Sequence, residues 1–272
     1  MAAAREGEPD RYLAALLAPR PHREALLALA AFSAEIRRIP QLVHEPAMGE
    51  IRRQWWRDAL ALPEGLRSGH PVADAARAAS RSYHLPAALL VGFIDAASRY
   101  PGSGSLFSDE QLQAHLWSSE GALFGLAAQV LGVPTGADTT AGCADAGFAY
   151  GLTRLLVDLP PALAAGRVAP SVTPLAGAGS TLEDLGSEAG SAKIKALLSE
   201  YAAGIRQRLA RAQRFVAGLP RPARAVFLPL ALVEPYLRVL ERSGARFLQQ
   251  GASVTPLTRV SRIAAAHLFG RL

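Results

Sequence analysis

Cysteine is almost absent from this chain of 272 residues: Cys143 stands alone. A single thiol excludes an internal disulfide and any zinc site built on several cysteines. Its small apolar neighbours mark it as an ordinary core cysteine. Lysine is nearly as scarce. Only Lys193 and Lys195 occur, so 27 of the 29 basic residues are arginine. Apolar runs are broken by Arg, Pro or Gly before they reach the ~20 residues that a membrane span requires. The start, Met1 to Asp10, lacks the hydrophobic stretch of a signal peptide and is partly acidic, which reads as a cytoplasmic beginning. Histidines at 22, 44, 70, 84, 115 and 267 show no HExxH spacing, and neither a phosphate-binding P-loop nor a G-x-S-x-G elbow is present.

What is present is apolar and helical. Half the residues are hydrophobic and 19% are charged, a balance that buries a core and excludes a disordered chain. Ala25, Leu29, Phe32, Ile36 and Ile39 recur at intervals of three and four, as do Ile205, Leu209 and Ala212. Val226, Leu230, Val233, Leu237 and Leu240 form a third such stripe. No stretch alternates as a strand would. Breaks are predicted at Pro19–Pro21, Leu62–Gly65, Pro101–Gly104, Pro134–Gly136 and Pro160–Pro161, with a long loop from Ala169 to Gly190. The pattern predicts one all-α domain over residues 1–272, with about eight to twelve helices.

The net charge of +6 is compatible with an anionic partner without choosing one. The arginines are spread along the chain and not gathered on one recognition helix, so nucleic acid is not an expected partner. Trp55 and Trp56 point about 100° apart on a helix, which predicts one in the core and one at the surface.

Several segments, in order, resemble one family. They are Asp10-Arg11-Tyr12-Leu13, the helix through Ala31-Phe32, Trp55-Trp56-Arg57-Asp58-Ala59-Leu60, Phe93-Ile94-Asp95, and Glu120-Gly121-Ala122-Leu123-Phe124-Gly125. Gly151-Leu152-Thr153-Arg154-Leu155-Leu156-Val157-Asp158 follows, then Gly166-Arg167-Val168 and Pro170. Their order and spacing resemble the squalene/phytoene synthases, the head-to-head prenyltransferases. The resemblance implies an isoprenoid-synthase-like helical bundle around a central cavity, with Glu120–Gly125 on a helix that lines it.

It also implies chemistry that the residues do not repeat. In that family, aspartates on two facing helices hold magnesium, which neutralises the diphosphate leaving group. Here Arg37, Arg38 and Gln41 stand at the first motif. In the second, Asp158 is kept and Ala162 replaces its partner, with Pro160 and Pro161 between them. One carboxylate of five is too few for a metal cluster, so no cofactor is expected, magnesium belonging only to the alternative of a working synthase.

The candidate anion- or ligand-binding residues are Tyr12, Arg37, Arg38, Arg154, Asp158 and Arg167. Two readings stand side by side. The guanidinium groups contact an anionic head group, or Arg37 and Arg38 are solvated or paired with Glu35, Glu45 or Glu50 while Arg154 pairs with Asp158 at i+4. The Ala31-Phe32-Ser33-Ala34-Glu35-Ile36 start and the Ile51-Arg52-Arg53-Gln54-Trp55-Trp56 segment resemble the branch of mitochondrial complex I assembly proteins on this scaffold more closely than they resemble active synthases. That branch implies a non-catalytic role with respiratory-complex subunits; a non-catalytic carrier of a prenyl or other lipid ligand is a separate reading. The branch places the chain in the cytoplasm, peripheral to the inner membrane. The alternative is an active enzyme condensing two prenyl diphosphates.

Overall fold

The computed structural model describes residues 1–43, 45–97, 107–164, 191–270 and 272. Among these residues there are fourteen α-helices and no strand. Three of the helices have six residues or fewer, too short for apolar spacing to reveal. They account for the excess over the expected eight to twelve.

The chain opens with α1 (Ala2–Gly7) and α2 (Pro9–Leu17), then α3 (Arg23–Leu42), α4 (Pro46–Ala61), α5 (Pro71–Ser82) and α6 (Ala87–Ala97). After α7 (Asp109–Leu116), a π-helical turn at Trp117–Gly121 leads into α8 (Ala122–Val130). The long α9 (Ala137–Val157), the short α10 (Leu159–Ala164) and α11 (Ser191–Ala217) come next. A 3₁₀ segment (Arg221–Leu232), α12 (Val233–Ser243), α13 (Phe247–Gln250) and α14 (Pro256–Phe269) complete it.

Local chemistry sets these boundaries. Proline sits in the first turn of α2, α4, α5 and α14, where its missing N–H costs nothing. Ser108 and Gln111 form a reciprocal capping box at the start of α7. The break expected at Pro160–Pro161 falls just before them: α9 stops at Val157, and both prolines sit in the first turn of α10, where a missing N–H is tolerated. The stripe of Val226 and Leu230 does not continue as an α-helix, because Arg221–Leu232 winds as a 3₁₀ segment around Pro229. The breaks at 101–104, the loop at 169–190 and His44 lie outside the described residues.

The expected stripe of α3 is buried: Leu29, Ile36 and Ile39 are 3% exposed or less, and Phe32 is fully covered. Trp56 is buried and Trp55 is 41% exposed, so the pair divides between core and surface as expected. α3 packs against α1 and α5, and α9 packs along α11 and the π turn. Across the interior, the rings of Phe124 and Phe227 stack at 5.4 Å. The void enclosed there by α2, α3, α8 and the 3₁₀ segment is only ≈ 30 Å³. That is room for about a water or two. Among the described residues no helix is long and apolar enough to cross a membrane.

Candidate functional site

The family-like motifs converge on a buried cluster of charge. Glu8 sits at the α1–α2 junction and is 1% exposed. Arg11 lies one turn on in α2, Arg37 on α3, Glu120 in the π turn and Arg154 near the end of α9. Glycine lets the π turn and α9 approach this closely. A Cβ on Gly147 would lie 2.4 Å from the backbone nitrogen of Gly121, and one on Gly151 would lie 2.8 Å from Glu120 Cγ. π-helical turns are rare and frequently sit at functional sites, and this one carries Glu120.

The two glutamates and three arginines make all six pairings open to them. Glu8 accepts a hydrogen bond from Arg154 Nη1 at 2.7 Å, and Arg37 Nε and Arg11 Nε pair with it at 3.1 Å and 3.7 Å. Glu120 accepts Arg37 Nη2 at 2.7 Å and a short bond from Arg11 Nη2, with Arg154 Nη1 at 3.5 Å. Ser33 Oγ donates to Glu8 at 2.7 Å and fixes that carboxylate from below. The Arg11 guanidinium also lies over the Phe124 ring, 4.6 Å from its centre. Beside this cluster, Asp10 accepts from Tyr150 Oη at 2.8 Å and pairs with Arg259 Nε at 2.7 Å. Arg259 in turn donates to Tyr236 Oη at 3.0 Å.

These surroundings move the proton affinities in opposite directions. Burial alone would raise the Glu120 carboxyl. Arg37, Arg154 and Arg11 more than offset it and hold the group at about 2. For Asp10, burial wins over Arg259 and Tyr150, so its carboxyl is raised. Burial, with Arg37 adding to it, lowers His115 to about 4, leaving the imidazole neutral.

Two cavities flank Arg154 and Asp158. One, of ≈ 420 Å³, opens between α1, α3 and the end of α9, with Glu6, Glu35, Arg37, Arg38, Arg154 and Asp158 on its walls. The other, of ≈ 220 Å³, is bordered by Asp10, Tyr150, Tyr236 and Arg259. The region between the Arg37 and Asp158 helices is therefore open, but charged and not apolar.

The structure sorts the expected residues. Arg37 and Arg154 are at the centre of the cluster. Arg37 does not pair with Glu35, Glu45 or Glu50, since Glu8 and Glu120 satisfy it and Glu50 instead binds Arg53 and Arg57. Nor is Asp158 the ion-pair partner of Arg154. Asp158 stays exposed at the rim, while the buried glutamates, desolvated and fixed, take the guanidinium. Arg38 is exposed at the mouth, and no carboxylate among the described residues pairs with it. Tyr12 is removed from the cluster, half-buried against the small apolar group of Ala4, Ala30 and Ala31. Arg167 lies outside the described residues. Glu8 and Glu120 are the residues of the cluster that sequence reasoning passed over. One signal pointed to them: arginines where the family places metal-binding acids need buried counter-charges, and Glu120 sits inside an otherwise apolar, small-residue motif.

The donor set does not fit magnesium. That ion takes oxygen ligands and keeps its waters, whereas here guanidinium groups fill the space between the two buried carboxylates. No group of three or more His, Cys, Asp or Glu side chains among the described residues is arranged to hold a metal ion.

A family model described as squalene/phytoene synthase matches residues 4–258. Among curated proteins, the chain is similar to mouse NADH dehydrogenase (ubiquinone) complex I, assembly factor 6. The two are 25% identical over 240 residues, 88% of this chain and 72% of the mouse protein. The rat protein of the same name is 25% identical over 260 residues, covering 93% and 78% of the two chains. Among solved structures, a dehydrosqualene synthase in complex with ligand superposes with a TM-score of 0.80 at 14% identity, over 98% of this chain and 94% of that one. Squalene synthase HpnC from Alicyclobacillus acidocaldarius gives 0.73 at 18% identity, over 89% and 92%. At such identities the structures speak for the fold alone.

Proposed function

The chain belongs to the squalene/phytoene synthase family, and from that premise we propose that it is a non-catalytic member serving the assembly of a respiratory NADH dehydrogenase, at the cytoplasmic face of the inner membrane. One observation carries the non-catalytic part: each of the two buried glutamates is already paired with all three arginines of the cluster. A prenyl diphosphate brings several negative charges and must have more neutralised as it ionises. The cluster nets one positive charge. To receive a diphosphate its arginines would have to leave Glu8 and Glu120 unpaired inside the protein, at a cost of about 3–5 kcal/mol for each broken pair. The assembly part is supported by the mouse and rat relatives, which bear that name and align along most of this chain.

The test has two arms. Deleting the gene is expected to lower NADH:quinone activity and the amount of assembled complex, with rescue by the wild type and by Asp158→Ala. The other arm incubates purified protein with magnesium and farnesyl or geranylgeranyl diphosphate, where no diphosphate release is expected. Release abolished by Asp158→Ala would overturn the proposal in favour of an enzyme that condenses two prenyl diphosphates.

A further inference from the structure

A second set of arginines, none of them in the cluster, pairs with no Asp or Glu among the described residues. A groove of ≈ 490 Å³ runs between the end of α2, the 3₁₀ segment and the end of α14, with Arg23, Arg221, Arg224 and His267 on its walls and no Asp or Glu. Leu17, Leu228 and Leu268 give it an apolar floor. Two of its guanidinium groups are held by backbone carbonyls. Arg23 Nε donates to Ala18 O at 2.7 Å, and Arg224 donates to Leu219 O at 2.9 Å and Ala217 O at 2.8 Å. A carbonyl positions a guanidinium without cancelling its charge. The 3₁₀ segment and α14 contain no acidic residue at all.

The same end of the molecule presents an uncovered apolar face. On α14, Ile263 and Ala266 turn inward and are buried. On another side of the helix, Leu257, Val260 and Leu268 follow one another at helical spacing, with Phe269 next to Leu268. They are 78%, 49%, 68% and 74% exposed. Leu268 belongs both to this face and to the groove wall, so apolar and cationic surfaces meet along one edge. A helix of this kind, apolar on one side and bordered by arginine, lies in a membrane interface, with apolar groups among acyl chains and cations at the phosphates.

We propose that this end of the molecule is a docking surface for an anionic phospholipid bilayer, with α14 lying on the membrane and the Arg23–Arg221–Arg224 groove receiving a lipid phosphate. Charge complementarity selects this occupant: three arginines that no Asp or Glu among the described residues pairs with, beside exposed Leu and Phe, match a phosphate above acyl chains. The surface is independent of the buried cluster and of the assembly reading. A second exposed apolar group, Met48, Ile51 and Trp55 on α4, serves as an internal control. Its neighbours Arg53 and Arg57 are already paired with Glu50 and Asp95.

The experiment is co-sedimentation of the full chain with vesicles of phosphatidylcholine alone, or mixed with phosphatidylglycerol. The wild type is expected on the mixed vesicles, less at high salt, and only weakly on phosphatidylcholine. Arg221→Ser should weaken retention about fivefold, and the Leu268→Ser/Phe269→Ser pair at least about tenfold, with unchanged melting temperatures. Ile51→Ser should retain wild-type binding. Because Cys143 is buried, Leu268→Cys takes a polarity-sensitive thiol dye at one place, and its emission should shift to the blue on mixed vesicles. The proposal falls if retention is absent, indifferent to Arg221 and Leu268, or equally sensitive to Ile51. It also falls if the wild type self-associates in solution and the Leu268→Ser/Phe269→Ser pair abolishes this, which would make a second copy of the chain the occupant.

Discussion

The arginines of the inner cluster and those of the outer groove differ in what holds them. Arg11, Arg37 and Arg154 are held by carboxylates, so their charge is spent inside the molecule. Arg23 and Arg224 are held by carbonyl oxygens, and their charge still faces outward. One residue type therefore serves as structural cross-link in one place and as available cation in the other. The counter-group, and not the arginine, decides which. This is why a count of basic residues located neither.

The comparison can be broken from either end, and the largest effect is expected inside. Glu120→Ala leaves Arg11, Arg37 and Arg154 short of a counter-charge and should lower the free energy of unfolding by about 3–5 kcal/mol, read from urea midpoints. Acid should act on the same group. The folded carboxyl of Glu120 is held at about 2 against an ordinary 4.5. A lowered folded value gives stability that is present above the unfolded value and lost as pH falls from 4.5 towards 2. The loss should be roughly 3 kcal/mol. Raised Asp10 works in the opposite sense, so the diagnostic is a comparison: Glu120→Gln should flatten the acid limb of the wild-type profile between those values. If the limb is unchanged, Glu120 is not the group that the arginines hold.

Effects shrink on moving outward. Arg224→Ala removes two bonds to carbonyls that follow the last turn of α11 and should cost about 1 kcal/mol. Arg221 has no hydrogen-bond or ion-pair partner among the described residues, so Arg221→Ser should shift stability by less than about 0.5 kcal/mol, while still reducing vesicle retention. A loss at Arg221 as large as that at Glu120 would erase the distinction between the two sets.

Much of the scaffold was legible in the sequence because its signals are local. The α3 stripe of Leu29, Phe32, Ile36 and Ile39, the division of Trp55 from Trp56, and the stop before Pro160 each follow from spacing or from proline geometry. The 3₁₀ run at 221–232 was not, since Val226 and Leu230 lie four apart as an α-helix would place them, and Pro229 redirects the backbone without changing that spacing. The cluster was half legible. Arg37 and Arg154 stood out against the family pattern, but their partners lie 83 and 146 residues away along the chain. The i+4 rule that favoured Asp158 for Arg154 describes an isolated, solvated helix. Inside the protein, a fixed and desolvated carboxylate outcompetes an exposed one.

The closed pairing of two glutamates with three arginines also restricts which single substitutions this site tolerates. Changing Arg37 alone to aspartate would bring a third acid beside Glu8 and Glu120 and leave Arg11 and Arg154 to balance all three. Changing Glu8 or Glu120 first would strand buried guanidinium groups instead. Each of these single steps towards an acid, metal-holding face passes through a less stable protein.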